Sequence, residues 1–308
     1  MCEKMSKNEI ATTSSSSNNS GNKTDLVQCL TSTINGTTLA KAMKELGEDP
    51  NRRDKQIAEL KQRIQEWVPK GGERNIEFTR AEDDKFLLAF LRARKFDVDK
   101  ALQLFVNYHQ FRQKYAGFLS TLNAPSVEHI LRSGVLSVPD SRFYNGSKAI
   151  CVYPQKWDYE TVPFLDNFRA TMLVLDKLIE DEETQIHGIS VIYNFEGTSF
   201  YSILKVAQLE HAQRAMLIEL LQEAFPARFK GVHLINQPWY ISIVMSVIKP
   251  FMKQKLRDRI HLHGTDYQSL HEHTSPDSLP IDFGGTRPPP RTNSALKLFQ
   301  EELQINAM

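Results

Sequence analysis

FPARFKGVHLINQPWYISIVMSVIKPFMKQKLRDRIHLHG, residues Phe225–Gly264, is the stretch whose reading decides the fold. Gly231 to Asn236 is a short apolar run with β-branched residues and reads as a buried strand. Pro238 then stands where a helix begins, with Asn236 or Gln237 as its N-cap. Trp239, Ile243, Val247 and Phe251 recur every four residues, and Tyr240, Val244, Ile248 and Met252 do so one step along. Two adjacent rows make one broad apolar face, and Pro250 predicts a kink or break in it. Beyond it, Lys253 and Arg257, and Lys255 and Arg259, fall four apart and give a cationic end. Pattern alone leaves two readings open: a core helix with a solvated basic end, or a mobile helix that covers an apolar cavity and docks on an anionic membrane.

Working outward, short β-rich runs at Val135–Val138, Ala149–Tyr153, Gly188–Phe195 and Ile260–His263 alternate with helical patterns at 164–180 and 208–223. That alternation predicts an α/β domain with a mostly parallel or mixed sheet and covering helices. Gly146 marks a hairpin turn. Upstream, helical periodicity runs from Thr38 to Trp67 and again through Phe86–Leu91 and Ala101–Phe111, with Asp83 or Asp84 and Asp97 as caps and Arg92, Arg94 and Lys95 as C-terminal cations. Residues 1 to about 36 carry too little apolar surface to offset the entropy of ordering and read as a disordered tail. After Arg287 the RPPPR run suggests polyproline II, then a short terminal helix that straps the surface.

The 308 residues carry a net charge of +1, which supplies no global basic field for nucleic acid. Three scattered cysteines and the lack of a signal-like or membrane-spanning run point to a reducing, cytoplasmic setting. Neither a G-x-S-x-G elbow, a Walker loop nor a dinucleotide fingerprint occurs, so an enzyme has no foothold. His261 and His263, with His271 and His273 beyond, read as ordinary sheet-surface and loop histidines rather than a metal site, and Glu180–Glu183 as a solvated turn.

DDKFLLAFLRARKFDVDKA (Asp83–Ala101) resembles the N-terminal helical module that precedes CRAL-TRIO, or Sec14-like, lipid-binding domains. EETQIHG (Glu182–Gly188), FPARFKGVHLINQPWY (Phe225–Tyr240), IKPFMKQKLRDRIHLHG (Ile248–Gly264) and LPIDFGG (Leu279–Gly285) resemble successive signatures of that domain, in order. The branch resembled holds the retinaldehyde-binding protein, the α-tocopherol transfer protein and the clavesins. The resemblance implies a tail (1–36), a helical module (37–120), a lipid-binding domain (121–290) and a C-terminal tail (291–308). In that domain a mixed sheet floors one apolar cavity, closed by a gate helix over Trp239–Met252.

Carried across residue by residue, the family pocket falls on Trp157, Phe168, Thr171, Met172, Leu175, Ile189, Tyr193, Val206, Leu217, Leu220, Leu221, Phe225 and Val232. Thr171 and Tyr193 are its polar members, suited to a ligand hydroxyl or carbonyl. The family's phosphoinositide-binding bases fall on Arg94, Arg228, Lys230, Lys255 and Arg259, all basic here. The implied function is a non-enzymatic carrier of one retinoid- or tocopherol-like lipid, with no cofactor or metal. It would release its cargo on phosphoinositide-containing endosomal or other internal membranes. A phosphoinositide-binding trafficking adaptor of clavesin type is the alternative.

Overall fold

Aspartates open three successive N-terminal helices of this computed structural model, which describes residues 34–68, 76–207, 210–289 and 294–305, without the side chains of 205–207, 211 and 247. The expected tail therefore lies, through residue 33, outside the described residues, as do Pro290 and Arg291 of the RPPPR run. Helix α1 (Gly36–Lys41) runs into a π-helical turn, Ala42–Leu46. The wider turn rotates the register, so Thr38, Ala42 and Leu46 are buried while Met43, expected on the inner stripe, is exposed. Asp49 caps α2 (Pro50–Gln65) through Asn51 N at 2.9 Å. Asp83 caps α3 (Asp84–Ala93) through Phe86 N at 3.1 Å, and Asp97 caps α4 (Val98–Lys114) through Lys100 N at 3.1 Å. Phe86, Phe90, Phe105 and Tyr108 then interlock edge to face between α3 and α4, which fixes their angle.

Five strands form one sheet in chain order: β1 (Leu136–Ser137), β2 (Lys148–Val152), β3 (Ile189–Asn194), β4 (Phe229–Ile235) and β5 (Ile260–Gly264). β1 pairs antiparallel with β2 and the other neighbours run parallel, so the sheet is mixed as expected. Right-handed crossovers between adjacent parallel strands bring every connecting helix to one face. Those helices are α5 (Phe164–Leu178), α6 (Glu182–His187), α7 (Phe200–Ala207), α8 (His211–Glu219, then a π-turn Leu220–Ala224), α9 (Ile241–Ile248) and α10 (Gln254–Arg257). Helix α7 replaces what the sequence pattern left as a connection ahead of a single helix over 208–223.

Two local expectations are corrected and a third is completed. Arg92 does stand in the last turn of α3 as expected, and it is fully buried there, bidentate on the fully buried Glu48 at 2.7 and 2.8 Å, and donates to Gln185 at 2.8 Å and Glu182 at 3.1 Å. The acidic run is accordingly no solvated turn. Glu182 answers Arg92, while Asp181 caps α6 and pairs with Arg142. Asn236 caps no helix either; at φ 52° it turns the chain and donates its amide to Asn194 and Tyr267, each at 2.9 Å. At the far end Ser294 meets Ser137 Oγ at 2.6 Å and Ala295 and Phe299 are buried, so the terminal segment does strap the domain beside β1.

Candidate functional site

Cross-strand register assigns Ile150, Val152, Val191, Tyr193, Val232, Leu234, Ile260 and Leu262 to one face of the sheet. It is apolar throughout apart from one phenol. Helices α7 and α9 lie over it: Ile203 and Ile241 join Leu234 and Phe195 in a core, with Tyr193, Val232, Tyr240, Val244, Met245 and Ile260 packed around. Burial pushes the Tyr193 phenol pKa up, yet the residue keeps accessible surface and its hydroxyl meets no partner among the described residues. Val191, Val232 and Ile260 beside it also keep accessible surface. These sheet residues thus keep accessible surface although α7 and α9 pack on the same face.

The two four-residue rows of the 239–252 segment separate. Tyr240 and Val244 pack inward on the sheet, and Ile248 and Met252 are half-buried. Trp239, Ile243 and Phe251 face outward, 78%, 55% and 61% exposed. Phe200, Tyr201 and Leu204 of α7 are exposed as well, with Phe200 edge-on to Tyr240 at 5.1 Å. The helix stops at Ile248, and Lys249–Phe251 continue as a 3-10 turn where Pro250 removes a backbone donor.

Of the other expected pocket residues, Phe168, Met172 and Leu175 are buried on α5, with Phe168 reaching Phe111 and Phe118 at 6.5 and 6.2 Å between ring centres. Thr171 keeps accessible surface and donates its hydroxyl to the Asn167 carbonyl at 2.9 Å. Ile189, Leu220 and Phe225 are buried, while Leu217 and Leu221 are half-buried. Trp157 stacks on Tyr159 at 4.2 Å and donates to the Val162 carbonyl at 2.8 Å. The Val206 and Val247 side chains lie outside the described residues. Sequence reasoning passed over Asn167 of α5, whose amide nitrogen and oxygen are both buried without a partner among the described residues.

All five expected bases collect at the amino ends of β4 and β5 and the end of α3. Lys255 has its pKa lowered by desolvation and by the nearby charges of Arg259, Arg94, Lys95 and Arg228, so these cations share one field. Arg228 and Lys230 are answered by Glu45 of the π-helical turn, at 3.3 and 3.5 Å. Although partial burial opposes it, Lys230, Lys41 and Arg228 hold the Glu45 carboxyl below its ordinary range. Arg94, Lys255 and Arg259 form no ion pair among the described residues; Arg259 instead donates to the Phe229 carbonyl. Arg94, Lys95, Lys100 and Lys255 line a concavity of about 470 Å³ with Asp97 and Gln222. Lys95 was read only as a helix-end cation and Glu45 went unnoticed, because nothing periodic links either to β4.

A second cleft, about 440 Å³, opens between α8 with its π-turn and the end of the 239–252 segment, with Ala215, Ile218, Ile248 and Phe251 as its apolar walls. It borders the first: Gln222 lines both. Lys253 closes its rim by an ion pair to Glu223 and by its backbone N–H on Gln222 Oε1 at 2.5 Å. Glu223 also counteracts the desolvation that lowers the Arg94 pKa. The end of the 239–252 segment and the basic concavity are thus tied through two adjacent side chains, Gln222 and Glu223.

The opposite sheet face differs. There His233, His261, His263 and His273 stack with ring centres 4.2–6.1 Å apart. His263 is buried, rather than a surface histidine as expected; it lies 3.0 Å from the equally buried His233 and 2.7 Å from Ser269 Oγ. Desolvation first, then the neighbouring imidazoles, push His233 down to about 3 and His263 to about 4. Among the described residues no three His, Cys, Asp or Glu are placed to hold a metal ion, and no helix is long and apolar enough to cross a membrane.

Comparison with known proteins matches residues 134–285 to the CRAL/TRIO domain and 56–107 to the CRAL/TRIO N-terminal domain. The chain is similar to clavesin-1 of Xenopus laevis, 39% identical over 83% of this chain and 75% of that one. It is also similar to the α-tocopherol transfer protein-like protein of Mus musculus, 37% identical over 80% of this chain and 69% of that one. Among solved structures, Sfh5 is covered to 99% at 12% identity with a TM-score of 0.43, a likeness too slight to carry weight.

Proposed function

The chain belongs to the CRAL/TRIO family of lipid-binding and lipid-transfer proteins, and on that premise we propose that it is a non-enzymatic carrier. It holds one retinoid- or tocopherol-like lipid between the sheet and α9, and releases it at phosphoinositide-containing membranes. It works from the cytoplasm, transiently on endosomal or other internal membranes. One observation carries this reading: cations without carboxylate partners among the described residues, Arg94, Lys255 and Arg259, stand beside a segment whose outer row, Trp239, Ile243 and Phe251, is apolar and exposed.

Each arginine or lysine near an anionic leaflet contributes about 1 kcal/mol. Each apolar side chain transferred into lipid adds about 1.5–3 kcal/mol. Opening the hollow uncovers Tyr240, Val244 and their sheet contacts at a similar cost, so in water the segment stays shut. A bisphosphorylated inositol headgroup between Arg94 and Lys255 draws on the same cation that Glu223 faces, which loosens the Glu223–Lys253 latch as the outer row enters the bilayer.

The test has two arms. Lipid extraction with native mass spectrometry on the purified chain should yield one stoichiometric apolar small molecule. The Lys255→Ala/Arg259→Ala variant should keep that molecule in solution but lose vesicle-stimulated release by roughly 30-fold, two charges at about 1 kcal/mol each. Unchanged release overturns the mechanism. An empty hollow with tight binding to phosphatidylinositol bisphosphate vesicles would replace carriage by the adaptor role.

A further inference from the structure

We infer that Asn167 is the hydrogen-bonding anchor for the cargo's polar end, and that this end is a group that both donates and accepts, a hydroxyl or an un-ionised carboxyl. The inference rests on the carrier reading above and adds the ligand's buried chemistry to it. Asn167 is 9% exposed, and neither Nδ2 nor Oδ1 of its amide has a partner among the described residues. A buried side-chain amide with both ends unanswered is uncommon in folded proteins and points to a missing partner.

Position says where that partner sits. At 3.6 residues per turn, the buried residues of α5 (Asn167, Phe168, Ala170, Met172, Val174, Leu175 and Leu178) form one arc. Thr171 falls in the middle of that arc and should be the most enclosed of all, yet it keeps accessible surface. A hollow therefore meets α5 at Thr171, one turn from Asn167. The Thr171 hydroxyl is already engaged with the Asn167 carbonyl at 2.9 Å, which leaves the amide as the unsatisfied polar group of that arc among the described residues; Arg169, whose buried Nε also has no partner, falls on the other side of the helix. Helix α5 runs back from the carboxyl end of β2, so Asn167 in its first turn lies at the same end of the sheet as Tyr193, next to last in β3. The Tyr193 hydroxyl also has no partner among the described residues. An ether or a hydrocarbon end offers no donor to Oδ1; a hydroxyl satisfies both atoms of the amide.

Matched probes test this on the full chain: all-trans-retinol against its methyl ether, and α-tocopherol against its methyl ether. The wild type should prefer the alcohol at least about tenfold, 1.4 kcal/mol. Asn167→Leu should erase that preference by weakening the alcohol while the ether stays within about twofold, and should leave the melting temperature of the empty protein unchanged or higher. Equal affinity for alcohol and ether in the wild type overturns the assignment even if no variant folds. A preserved preference in Asn167→Leu, or a lower melting temperature with affinities unchanged, overturns it too and leaves carriage standing. Binding of none of the four probes overturns carriage itself.

Discussion

Arg92 and Arg94 are two residues apart at the end of the same helix and have opposite surroundings. Arg92 is sealed in with Glu48, Glu182 and Gln185, every contact answered. Arg94 stands with Lys255 and Arg259, and no carboxylate pairs with it among the described residues. A buried, compensated cation holds elements together, because losing either partner strands the other charge in a low dielectric. A cluster of cations without counter-ions raises the free energy of the folded state by self-repulsion. Its persistence is understandable if an outside anion completes it. The difference separates scaffold from site without reference to any relative.

The largest effect expected from that contrast is on stability. Arg92→Ala leaves the buried Glu48 carboxylate with only the longer 3.9 Å contact to Arg53, and chemical denaturation should show a loss of about 3–5 kcal/mol. Arg94→Ala should cost almost nothing by the same measurement and instead weaken vesicle binding about fivefold, with a shallower salt dependence. Equal stability losses in the two variants would collapse the distinction.

The histidine face offers a third case, charges kept off by their neighbours. His233 and His263 have folded pKa values of about 3 and 4, below the ordinary histidine value near 6.5. Because the folded state binds protons less readily, stability is full above pH 6.5 and declines as pH falls toward 4. Among the described residues Asp266 is the acid that opposes this at His263; His261 and His273 add to it. Unfolding free energy should drop by roughly 3 kcal/mol for each of these two histidines between pH 7 and pH 4, about 6 kcal/mol in all, and His233→Gln should remove about half of that slope. An identical slope in the variant would mean that carboxylates alone set the acid limit.

What the sequence disclosed follows from the range of each interaction. The sheet was legible because Ile189–Asn194 and Phe229–Ile235 are apolar runs bounded by turn residues, a local signal. The two rows of the 239–252 segment were legible for the same reason, and so was the break at Pro250. Periodicity could not tell which row faces outward, since both are equally apolar; the position of the sheet decides it. The partners of Arg92 were not legible because a cation in a last helical turn looks the same whether it meets water or Glu48, 44 residues earlier. Helix α7 was missed since FYSILKVA shows no polar stripe to contrast with its buried side. Asn167 was passed over because a lone amide in an apolar helix carries no pattern at all. Its meaning lies in partners it does not have.

Glu45 gives the finest division of the contrast, because it lies between the two cases. It answers Arg228 and Lys230 from a solvent-accessible turn of the N-terminal helical layer, so the basic cluster is half compensated by the chain itself. Partly exposed ion pairs of this kind contribute about 0.2–1 kcal/mol. Removing the carboxylate should thus have little effect on the fold, while two more cations become available to an anionic surface. Glu45→Gln is expected to leave denaturation midpoints within error and to tighten binding to phosphatidylinositol bisphosphate vesicles about two- to fivefold. The gain should shrink as salt rises past about 0.15 M, where screening shortens the reach of the freed charges to about 8 Å. If the variant binds vesicles no better but unfolds more easily, then Glu45 belongs with Glu48 as scaffold. The docking surface then reduces to Arg94, Lys255 and Arg259.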